Sequence, residues 1–447
     1  MTELAKKFEG IIGADYVHAD GEPRRYAVDG VVPTTVVRPG SVEEVSAVLA
    51  ACNQMGAAVV PWGGGSSMGL GGIPRKVDVV LCLGRLNRVI DHEPGDMTST
   101  VEAGISLGEY QARLGAHRQF LALDPPDAGR ATIGGILAAN VSGPRRIRYG
   151  SARDLLIGVR VAHADGTVTK GGAKVVKNVT GYDMNKLYVG SLGTLGVIVE
   201  ATFRLYPVPP AEHTWVASFP SAAKAREAAA KLFDSPLVPT AVELLNTSAA
   251  AEVGRRSGVS PGPGGFHLAV AIASIPEAVK AQLEQARKMG RDAGGGDGQM
   301  LEGDAHEKFW AAVRDFGGGE EGGMVLKASV LLDRVTDALT QGERVAAEQG
   351  LSVGIVSEAG TGIVRYYLRA EGTGADRFDR LAGAVAPLRA FAADAKGSLV
   401  VLSAPPEVKG KVDVWGPVGD GFHLMRGLKE QFDPGRVLNP GRFVGGL

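Results

Sequence analysis

A glycine-rich segment between two apolar runs constrains the fold of this chain more than any other feature. Six of the twelve residues in 61–72 are glycine, and the apolar runs 57–60 and 77–83 flank them. Glycine reaches backbone angles closed to other residues and lets a ligand approach the main chain. Such a turn can aim several N–H groups at one anion, and Ser66 and Ser67 add hydroxyl donors. The segment is either a cradle for the pyrophosphate of a dinucleotide or a flexible surface loop, and glycine content alone does not decide between them.

Two common phosphate-binding motifs do not match this segment. No Lys-Ser or Lys-Thr pair follows it, so it is not a Walker A loop. The G-x-G-x-x-G spacing occurs within it, but no clear helix signal follows at once, whereas a Rossmann motif places the pyrophosphate at a helix N-terminus. The identity of the motif therefore depends on residues further along the chain.

Length, charge and cysteine content limit the class of protein. The chain has 447 residues, enough for two or three domains. Its net charge of −1 gives no electrostatic basis for binding nucleic acid or an acidic membrane surface. Cys52 and Cys82 lie in apolar stretches, which is typical of buried thiols in a reducing compartment, and no Cys/His cluster indicates zinc or iron–sulfur.

Targeting signals are not evident. The N-terminal residues lack the apolar core of a secretory signal, and no stretch approaches the ~20 apolar residues of a membrane span. We therefore expect a cytoplasmic protein without a transmembrane segment. Peripheral association with the inner face of the membrane, through a partner, stays open.

Apolar periodicity predicts the secondary structure. Two α/β units are expected at 36–83 and 97–208, the first with a helix capped by Ser41 and Glu44. After the stiff segment 207–210, strands and helices alternate. We predict strands at 213–219, 238–245, 266–274, 325–332, 352–358, 362–369 and 398–403, with helices at 221–233, 276–290, 334–348 and 375–394. This alternation with adjacent strands predicts a duplicated ferredoxin-like topology with an antiparallel sheet.

Five short motifs follow one another along the chain. They are P-W-G-G-G-S-S at 61–67, D-P-P-D with T-I-G-G at 124–135, Y-G-S-x-x-D at 149–154, K-N-V-x-G-Y-D at 177–183 and G-S-L-G-T-L-G-V-I at 190–198. Each motif alone is weak, but five in this order are hard to reach by chance. Together they resemble the FAD-binding domain of the vanillyl-alcohol-oxidase type, and in particular the FAD-binding subunits of bacterial glycolate oxidase. K-N-V-x-G-Y-D and a later D-V-W-G at 413–416 favour the smaller FAD subunit.

The resemblance implies an α+β fold in two domains. Residues 1–208 would form a two-part FAD-binding domain of the vanillyl-alcohol-oxidase type. Residues 209–404 would form a ferredoxin-like cap, the substrate domain, over an antiparallel sheet. Residues 405–447 would return to the FAD-binding domain. The resemblance is strong over about 30–208 and 405–447 and weak between them.

The resemblance also implies FAD and assigns residues to it. The pyrophosphate would be held by Gly63, Gly64, Gly65, Ser66 and Ser67. The flavin and ribityl chain would be lined by Pro126, Thr132, Gly134, Gly135, Asn140 and Ser142. Ile198 would offer its backbone, and Asn439 would either lie near the cofactor or cap the turn into Pro440. Relatives with covalent flavin place a His in or beside the glycine loop, and this loop has none, so we expect non-covalent FAD.

Candidate substrate residues also come from the resemblance. In relatives that oxidise 2-hydroxy acids, an Arg follows a Trp-containing helix and a Lys opens a cap strand. Arg314 and Lys327 match these positions and would bind the substrate carboxylate, although both also fit ordinary surface cations. Metal-dependent relatives carry a His in a G-x-G-x-x-H run and a later Glu-His-Gly. Here the run 360–365 ends in Arg365 and Glu-His-Gly is absent, so we expect no metal site and assign no catalytic base.

Two hypotheses for the function remain. The first is an FAD-dependent oxidoreductase that oxidises a small 2-hydroxy acid of the glycolate or lactate class and passes the electrons to a partner or acceptor. The second is a flavin-containing electron-relay or structural subunit of a glycolate-oxidase-like complex, without substrate turnover of its own. Because the chain has no iron–sulfur or haem ligands, the expected partners are a second FAD subunit and an iron–sulfur subunit.

Overall fold

The chain divides into two compact units. The structure, a computed structural model, describes residues 3–19, 21–172, 182–260, 262, 264–317 and 322–447. The first unit comprises Met1–Ser142, Ser151–Val208 and Pro417–Leu447, and the second comprises Gly143–Gly150 and Pro209–Gly416.

Helices and strands alternate along the described ranges. The helices are α1 (Glu3–Ile12), α2 (Val42–Met55), α3 (Leu107–Gly115), α4 (Ile133–Ala139), α5 (Arg146–Tyr149), α6 (Ala152–Leu155), α7 (Asn185–Tyr188), α8 (Ala222–Phe233), α9 (Thr247–Ser257), α10 (Pro276–Asp292), α11 (Gly303–Arg314), α12 (Val335–Glu348), α13 (Asp376–Asp394), α14 (Pro406–Lys409) and α15 (Phe422–Phe432). The strands are β1 (Val17–His18), β2 (Thr35–Val37), β3 (Val59–Trp62), β4 (Val79–Cys82), β5 (Val89–Glu93), β6 (Thr98–Glu102), β7 (Gln119–Phe120), β8 (Leu156–Ala162), β9 (Val168–Gly172), β10 (Val197–Arg204), β11 (Tyr206–Pro207), β12 (Ala211–Phe219), β13 (Ala241–Leu245), β14 (Phe266–Ser274), β15 (Gln299–Leu301), β16 (Met324–Ser329), β17 (Leu351–Glu358), β18 (Ile363–Ala370) and β19 (Ser398–Ser403).

A small sheet with the order β1-β2-β4-β3 positions the glycine-rich segment. Strands β2, β4 and β3 are parallel, and α2 connects β2 to β3. The side chain of Ser41 accepts a hydrogen bond from the N–H of Glu44 at 3.1 Å, as the sequence predicts. Val45, Val48 and Leu49 on α2 are fully buried. The glycine-rich segment therefore leaves the carboxyl end of a parallel strand, where ligands of α/β sheets commonly bind.

The second sheet of this unit differs from the α/β unit expected at 97–208. Its order is β5-β6-β10-β8-β9, and every neighbouring pair is antiparallel. The connection between β8 and β9 is a tight turn in which the Thr167 N–H and hydroxyl both donate to the Asp165 carboxylate, so this pair is antiparallel. Parallel neighbours would need a crossover of a dozen or more residues.

The second unit contains a duplicated ferredoxin-like sheet, as predicted. Its eight antiparallel strands have the order β15-β12-β14-β13-β17-β18-β16-β19. The second half runs strand, helix, two strands, helix, strand, and the first half has the same order with α9 inserted between β13 and β14. The two halves join where β13 pairs with β17. One face packs against α8, α10, α12 and α13 in a large apolar core. Helices α9 and α11 form a smaller core on residues that include Val216 and Val356. The sequence did not predict α9.

The unit boundaries differ in two places from the expected domains. Gly143–Gly150 belongs to the second unit, where α5 contacts β13 and Ile147 packs on the apolar core. The C-terminal return begins at Pro417, because Val414 stays with the second unit. Val414 is buried there, and its carbonyl accepts a hydrogen bond from the N–H of Val401 at 2.8 Å.

Candidate cofactor site and charged cluster

The loop after β3 presents a row of free backbone donors. The N–H groups of residues 63–67 donate to no acceptor in the described part of the chain, and neither do the hydroxyls of Ser66 and Ser67. A Cβ on Gly63 would collide with the Thr132 hydroxyl, and one on Gly64 would collide with the Arg130 carbonyl. The loop is thus held against a neighbouring segment while its donors remain unused, which is the arrangement of an anion-binding nest.

A cleft opens beside this loop within the first unit. It contains about 720 Å³ of space free of protein atoms, including space open to solvent. Small apolar residues and exposed backbone dominate its lining, which suits a flat aromatic group. The lining residues are Pro61, Trp62, Gly63, Gly64, Gly65, Ser66, Ser67, Met68, Leu83, Ala103, Thr132, Gly134, Gly135, Ala138, Ala139, Leu192, Gly193, Gly196, Val197, Ile198, Asn439 and Arg442.

Helix α4 forms one wall of the cleft through its small residues. Thr132 caps the helix, and its hydroxyl accepts a hydrogen bond from the N–H of Gly135 at 3.4 Å. A Cβ on Gly134 would lie 2.9 Å from the Cβ of Ala103. Glycine at this position therefore allows α4 to approach Ala103, the residue that follows β6.

The C-terminal segment 437–442 closes the other side of the loop. The N–H of Asn439 donates to the carbonyl of Val59 at 2.8 Å, and the N–H of Gly72 donates to the carbonyl of Arg442 at 2.9 Å. The Arg442 guanidinium donates to the carbonyls of Met68 and Leu70. Burial lowers the pKa of Arg442 to about 10. Both ends of the glycine loop are therefore fixed by one short stretch of chain.

Asn439 carries an unused acceptor at the cleft. Its side-chain N–H donates to the Leu192 carbonyl at 2.6 Å, while its Oδ1 is buried with no hydrogen-bond partner in the described ranges. Its backbone lies in the left-handed region, with φ of 49°. A buried orphan acceptor is costly unless a ligand satisfies it. Together with the free N–H groups, this atom fits a polar cofactor in the cleft.

A buried ion pair holds this segment in place. Lys429 on α15 donates to Asp433 at 2.6 Å and to the carbonyls of Thr194 and Leu438 at 2.9 Å. The Asp433 carboxylate accepts from the N–H groups of Val437 and Leu438. The Lys429 and Asp433 side chains are 2% and 0% exposed. Burial lowers the pKa of Lys429, and Asp433 opposes that effect.

The cleft brings together most of the residues predicted to bind the cofactor. These are Gly63, Gly64, Gly65, Ser66, Ser67, Thr132, Gly134, Gly135, Ile198 and Asn439. Pro126, Asn140 and Ser142 are not among the described residues that line it. Pro126 is exposed, Ser142 is buried, and Asn140 ends α4 with a left-handed φ of 49°. Residues 177–181 of K-N-V-x-G-Y-D lie outside the described residues.

A charged cluster lies on one face of the sheet in the second unit. Lys327 on β16 and Arg365 on β18 are direct cross-strand partners. Arg365 pairs with Glu358 at 2.8 Å, and Thr361 donates to the other oxygen of that carboxylate at 2.7 Å. Burial lowers the pKa of Lys327, and the charges of Arg365 and Arg146 lower it further against the opposing effect of Glu358.

Arg314 forms an ion pair with the next residue in the chain. It is the last residue of α11, and its guanidinium donates to the carboxylate of Asp315 at 3.1 and 2.9 Å. The residue directly opposite Lys327 across the strands is Arg365, which is not among the residues predicted to bind the substrate.

Two family models match most of this chain. The model described as "FAD binding domain" matches residues 33–172. The model described as "FAD linked oxidases, C-terminal domain" matches residues 208–400 and 417–443. The chain belongs to the FAD-linked oxidases. FAD is therefore its cofactor, as the five motifs predict.

Relatives of this FAD-linked oxidase match it over nearly its whole length. Glycolate oxidase subunit GlcD of Bacillus subtilis is 25% identical over 92% of this chain and 89% of its own length. A D-lactate dehydrogenase of Archaeoglobus fulgidus is 29% identical over 99% of both chains. The solved structure of p-cresol methylhydroxylase superposes with a TM-score of 0.77 at 18% identity, covering 98% of this chain and 96% of that one. This last likeness confirms the fold.

Sequence reasoning missed several residues of the cleft in this oxidase. Trp62 lies in the motif at 61–67, and Leu192, Gly193 and Gly196 lie in the motif at 190–198, so these motifs could have indicated them. Arg442 follows the predicted Asn439 by three residues and carried no signal of its own. Within the described ranges no three His, Cys, Asp or Glu residues come together as a metal site would need. No described helix has the length and apolar character that a membrane span requires.

Proposed function

We propose that this FAD-linked oxidase oxidises a small 2-hydroxy acid of the glycolate or lactate class. The observation that carries the proposal is full-length similarity to proteins named for two such substrates, a glycolate oxidase subunit and D-lactate dehydrogenases. These substrates share a carboxylate beside a secondary or primary alcohol. A protein that oxidises them needs a redox cofactor and cations for the carboxylate.

The chain offers residues for the first requirement in its first unit. The free N–H groups of 63–67 and the Ser66 and Ser67 hydroxyls would hold the pyrophosphate of FAD. Thr132, Gly134, Gly135 and Ile198 would line the flavin side of the cleft, and the Oδ1 of Asn439 would accept a hydrogen bond from it. When bound, FAD supplies the acceptor for the two electrons that leave the alcohol carbon.

For the second requirement, we propose Lys327 as a carboxylate-binding residue. Its side chain has no hydrogen bond or ion pair to another described residue, so its ammonium is available to an anion. Arg314 is a second candidate, but its guanidinium would have to leave Asp315 to bind substrate. The electrons would then pass to a partner, and the name of the glycolate oxidase subunit supports a complex of several subunits. We propose a second FAD subunit and an iron–sulfur subunit for that role.

We further propose that FAD is held without a covalent bond. Residues 61–72 contain no histidine, and the cleft is lined by none of the described histidines. Acid or heat denaturation of the purified yellow protein should release all of its flavin into the supernatant. Flavin that stays with the precipitated polypeptide would contradict this proposal.

Anaerobic reduction of the bound flavin tests the enzymatic function. The FAD-loaded protein is mixed with glycolate, D-lactate and L-lactate, and visible flavin absorbance is followed. We expect at least one acid to bleach the flavin and the corresponding amides to have no effect. If dithionite bleaches the flavin but no hydroxy acid does, the alternative of an electron-relay subunit without its own turnover is supported instead.

A further inference from the structure

Strands β16 and β18 place two cations directly opposite one another. Lys327 and Arg365 are cross-strand partners in an antiparallel pair, and like charges in that position are destabilising. Arg365 is compensated by Glu358, whose second oxygen accepts from Thr361. The Lys327 ammonium has neither an ion pair nor a hydrogen bond to any other residue that the structure describes. Of the two repelling cations, Arg365 therefore has a carboxylate partner within the sheet, whereas Lys327 has no ion pair to a described residue.

The surroundings make an uncompensated cation costly. The Arg365 side chain is 15% exposed and Glu358 is 4% exposed, while Lys327 is partly buried. Buried charges in proteins are normally paired, because an isolated charge loses its hydration and gains no ion pair or hydrogen bond in exchange. Burial also lowers the pKa of Lys327, and Arg146 on α5 adds to that effect. No carboxylate of a described residue forms an ion pair with the Lys327 ammonium.

We propose that Lys327 and Arg365 form a metal-independent binding site for a single carboxylate group. Arg365 ends the G-x-G-x-x run at 360–365, where metal-dependent relatives carry a His. A guanidinium held by Glu358 is a fixed, permanently charged group of set orientation, whereas the Lys327 ammonium can adjust to the ligand. The inference rests on the proposed function in one respect, since it assigns the carboxylate of the 2-hydroxy acid to this site.

The local charge favours a monocarboxylic over a dicarboxylic acid. Glu243 is the cross-strand partner of Glu358 and is 1% exposed. Among the groups that act on Lys327 and Arg365, the three cations (Arg146, Lys327 and Arg365) exceed the two carboxylates (Glu358 and Glu243) by one charge. One carboxylate neutralises that charge, and a second would be left uncompensated in a poorly solvated place.

Oxamate binding tests the site without any redox turnover. Oxamate is a monocarboxylate with no alcohol to oxidise, and its affinity for the FAD-loaded full chain is measured by calorimetry. We expect Lys327→Met and the charge-balanced double variant Arg365→Met/Glu358→Gln to bind it about ten- to a hundredfold more weakly. Arg369→Met, an exposed change on the same strand, is the matched control and should bind like wild type. Oxalate, a dianion, should bind wild type more weakly than oxamate.

Several outcomes would overturn the inference. A folded double variant that binds oxamate like wild type would limit Arg365 to a structural role. Loss of binding after chelation with EDTA would refute metal independence, and tighter binding of oxalate would refute the preference for one carboxylate. The flavin-bleaching assay separates this inference from the proposed function. Bleaching with unchanged oxamate binding in both variants refutes only the site, whereas Arg365-dependent oxamate binding without bleaching by any hydroxy acid refutes only the function.

Discussion

At the scale of single residues, Gly64 is required by the protein's own backbone. Its φ is not in the left-handed region, so the backbone angle would accept a side chain there. What excludes a side chain is the lack of space beside a neighbouring segment. A Cβ would collide with the Arg130 carbonyl. Relieving such overpacking costs about 1–3 kcal/mol, so Gly64→Ala should weaken FAD binding about tenfold or more while the fold is retained. FAD titration followed by fluorescence measures this.

Gly84→Ala is the matched control for that change. Nothing lies within 4 Å of a Cβ at Gly84, and its φ is also ordinary. We expect this variant to bind FAD like wild type and to have the same circular dichroism spectrum. Normal FAD affinity in folded Gly64→Ala would mean that the loop can leave Arg130 without disturbing the cradle, and the assignment of the cradle would fail.

The ionisation of Lys327 predicts a pH dependence of anion binding. Burial first, then Arg365 and Arg146, lower the pKa of this amine. A lowered lysine pKa means that the cation is present below that pKa and is lost as pH rises through it. Oxamate affinity should therefore fall with rising pH earlier than the ordinary lysine value of ~10.4 would allow. Lys327→Arg should remove this fall, because a guanidinium stays charged. An identical pH profile in wild type and Lys327→Arg would contradict the assignment.

At the scale of elements, the pair Lys429–Asp433 decides whether the C-terminal segment can hold the glycine loop. Lys429→Met leaves the Asp433 carboxylate buried without its cation, and breaking a buried pair in this way costs about 3–5 kcal/mol. We expect a loss of that size in the free energy of unfolding, measured in urea, together with weaker FAD binding. The reason for the second effect is that Lys429 and Asp433 both bond to Leu438, next to Asn439.

Two variants make this prediction specific. Lys429→Met/Asp433→Asn removes the unpaired charge and should recover most of the lost stability. Arg426→Met removes an exposed cation from the same helix and should change stability by less than about 0.5 kcal/mol. If the single and double variants are equally unstable, packing of the lysine stem matters more than its charge.

The elements differ in how far local sequence determines them. The side chains of Ser41 and Thr132 each cap a helix by accepting a hydrogen bond from the N–H three residues later, a pattern that is visible in the sequence. Strands β14 and β19 begin and end at the residues predicted from the sequence. The charged cluster around Lys327 and the ion pair that holds the C-terminal segment 437–442 could not be predicted in this way. Lys429 and Asp433 have the i, i+4 spacing of an exposed helix pair, and only the fold buries them. Lys327 faces Arg365 because β16 pairs with β18, a contact between distant residues.

At the scale of the whole molecule, the cofactor donors all belong to the first unit. The unused N–H groups of residues 63–67 line the cleft, as does the segment around Asn439. Hydrogen exchange of these amides should be slow only when FAD accepts their hydrogen bonds, because amides without an acceptor exchange readily. The loop 61–72 is thus the part of the chain where FAD should have its largest effect.

Hydrogen exchange with mass spectrometry can locate that effect along the chain. We expect FAD to slow exchange in peptides that cover 61–72, 132–139 and 437–442, at least about tenfold, since each new hydrogen bond to a charged group contributes about 1.5–3 kcal/mol. Oxamate added to the FAD-loaded protein should instead slow exchange in peptides that contain Lys327 and Arg365. FAD protection confined to other peptides would contradict the cofactor assignment, because the residues beside the loop combine free donors with a cleft. Oxamate protection confined to the peptide containing Arg314 would restore that arginine as the carboxylate-binding residue.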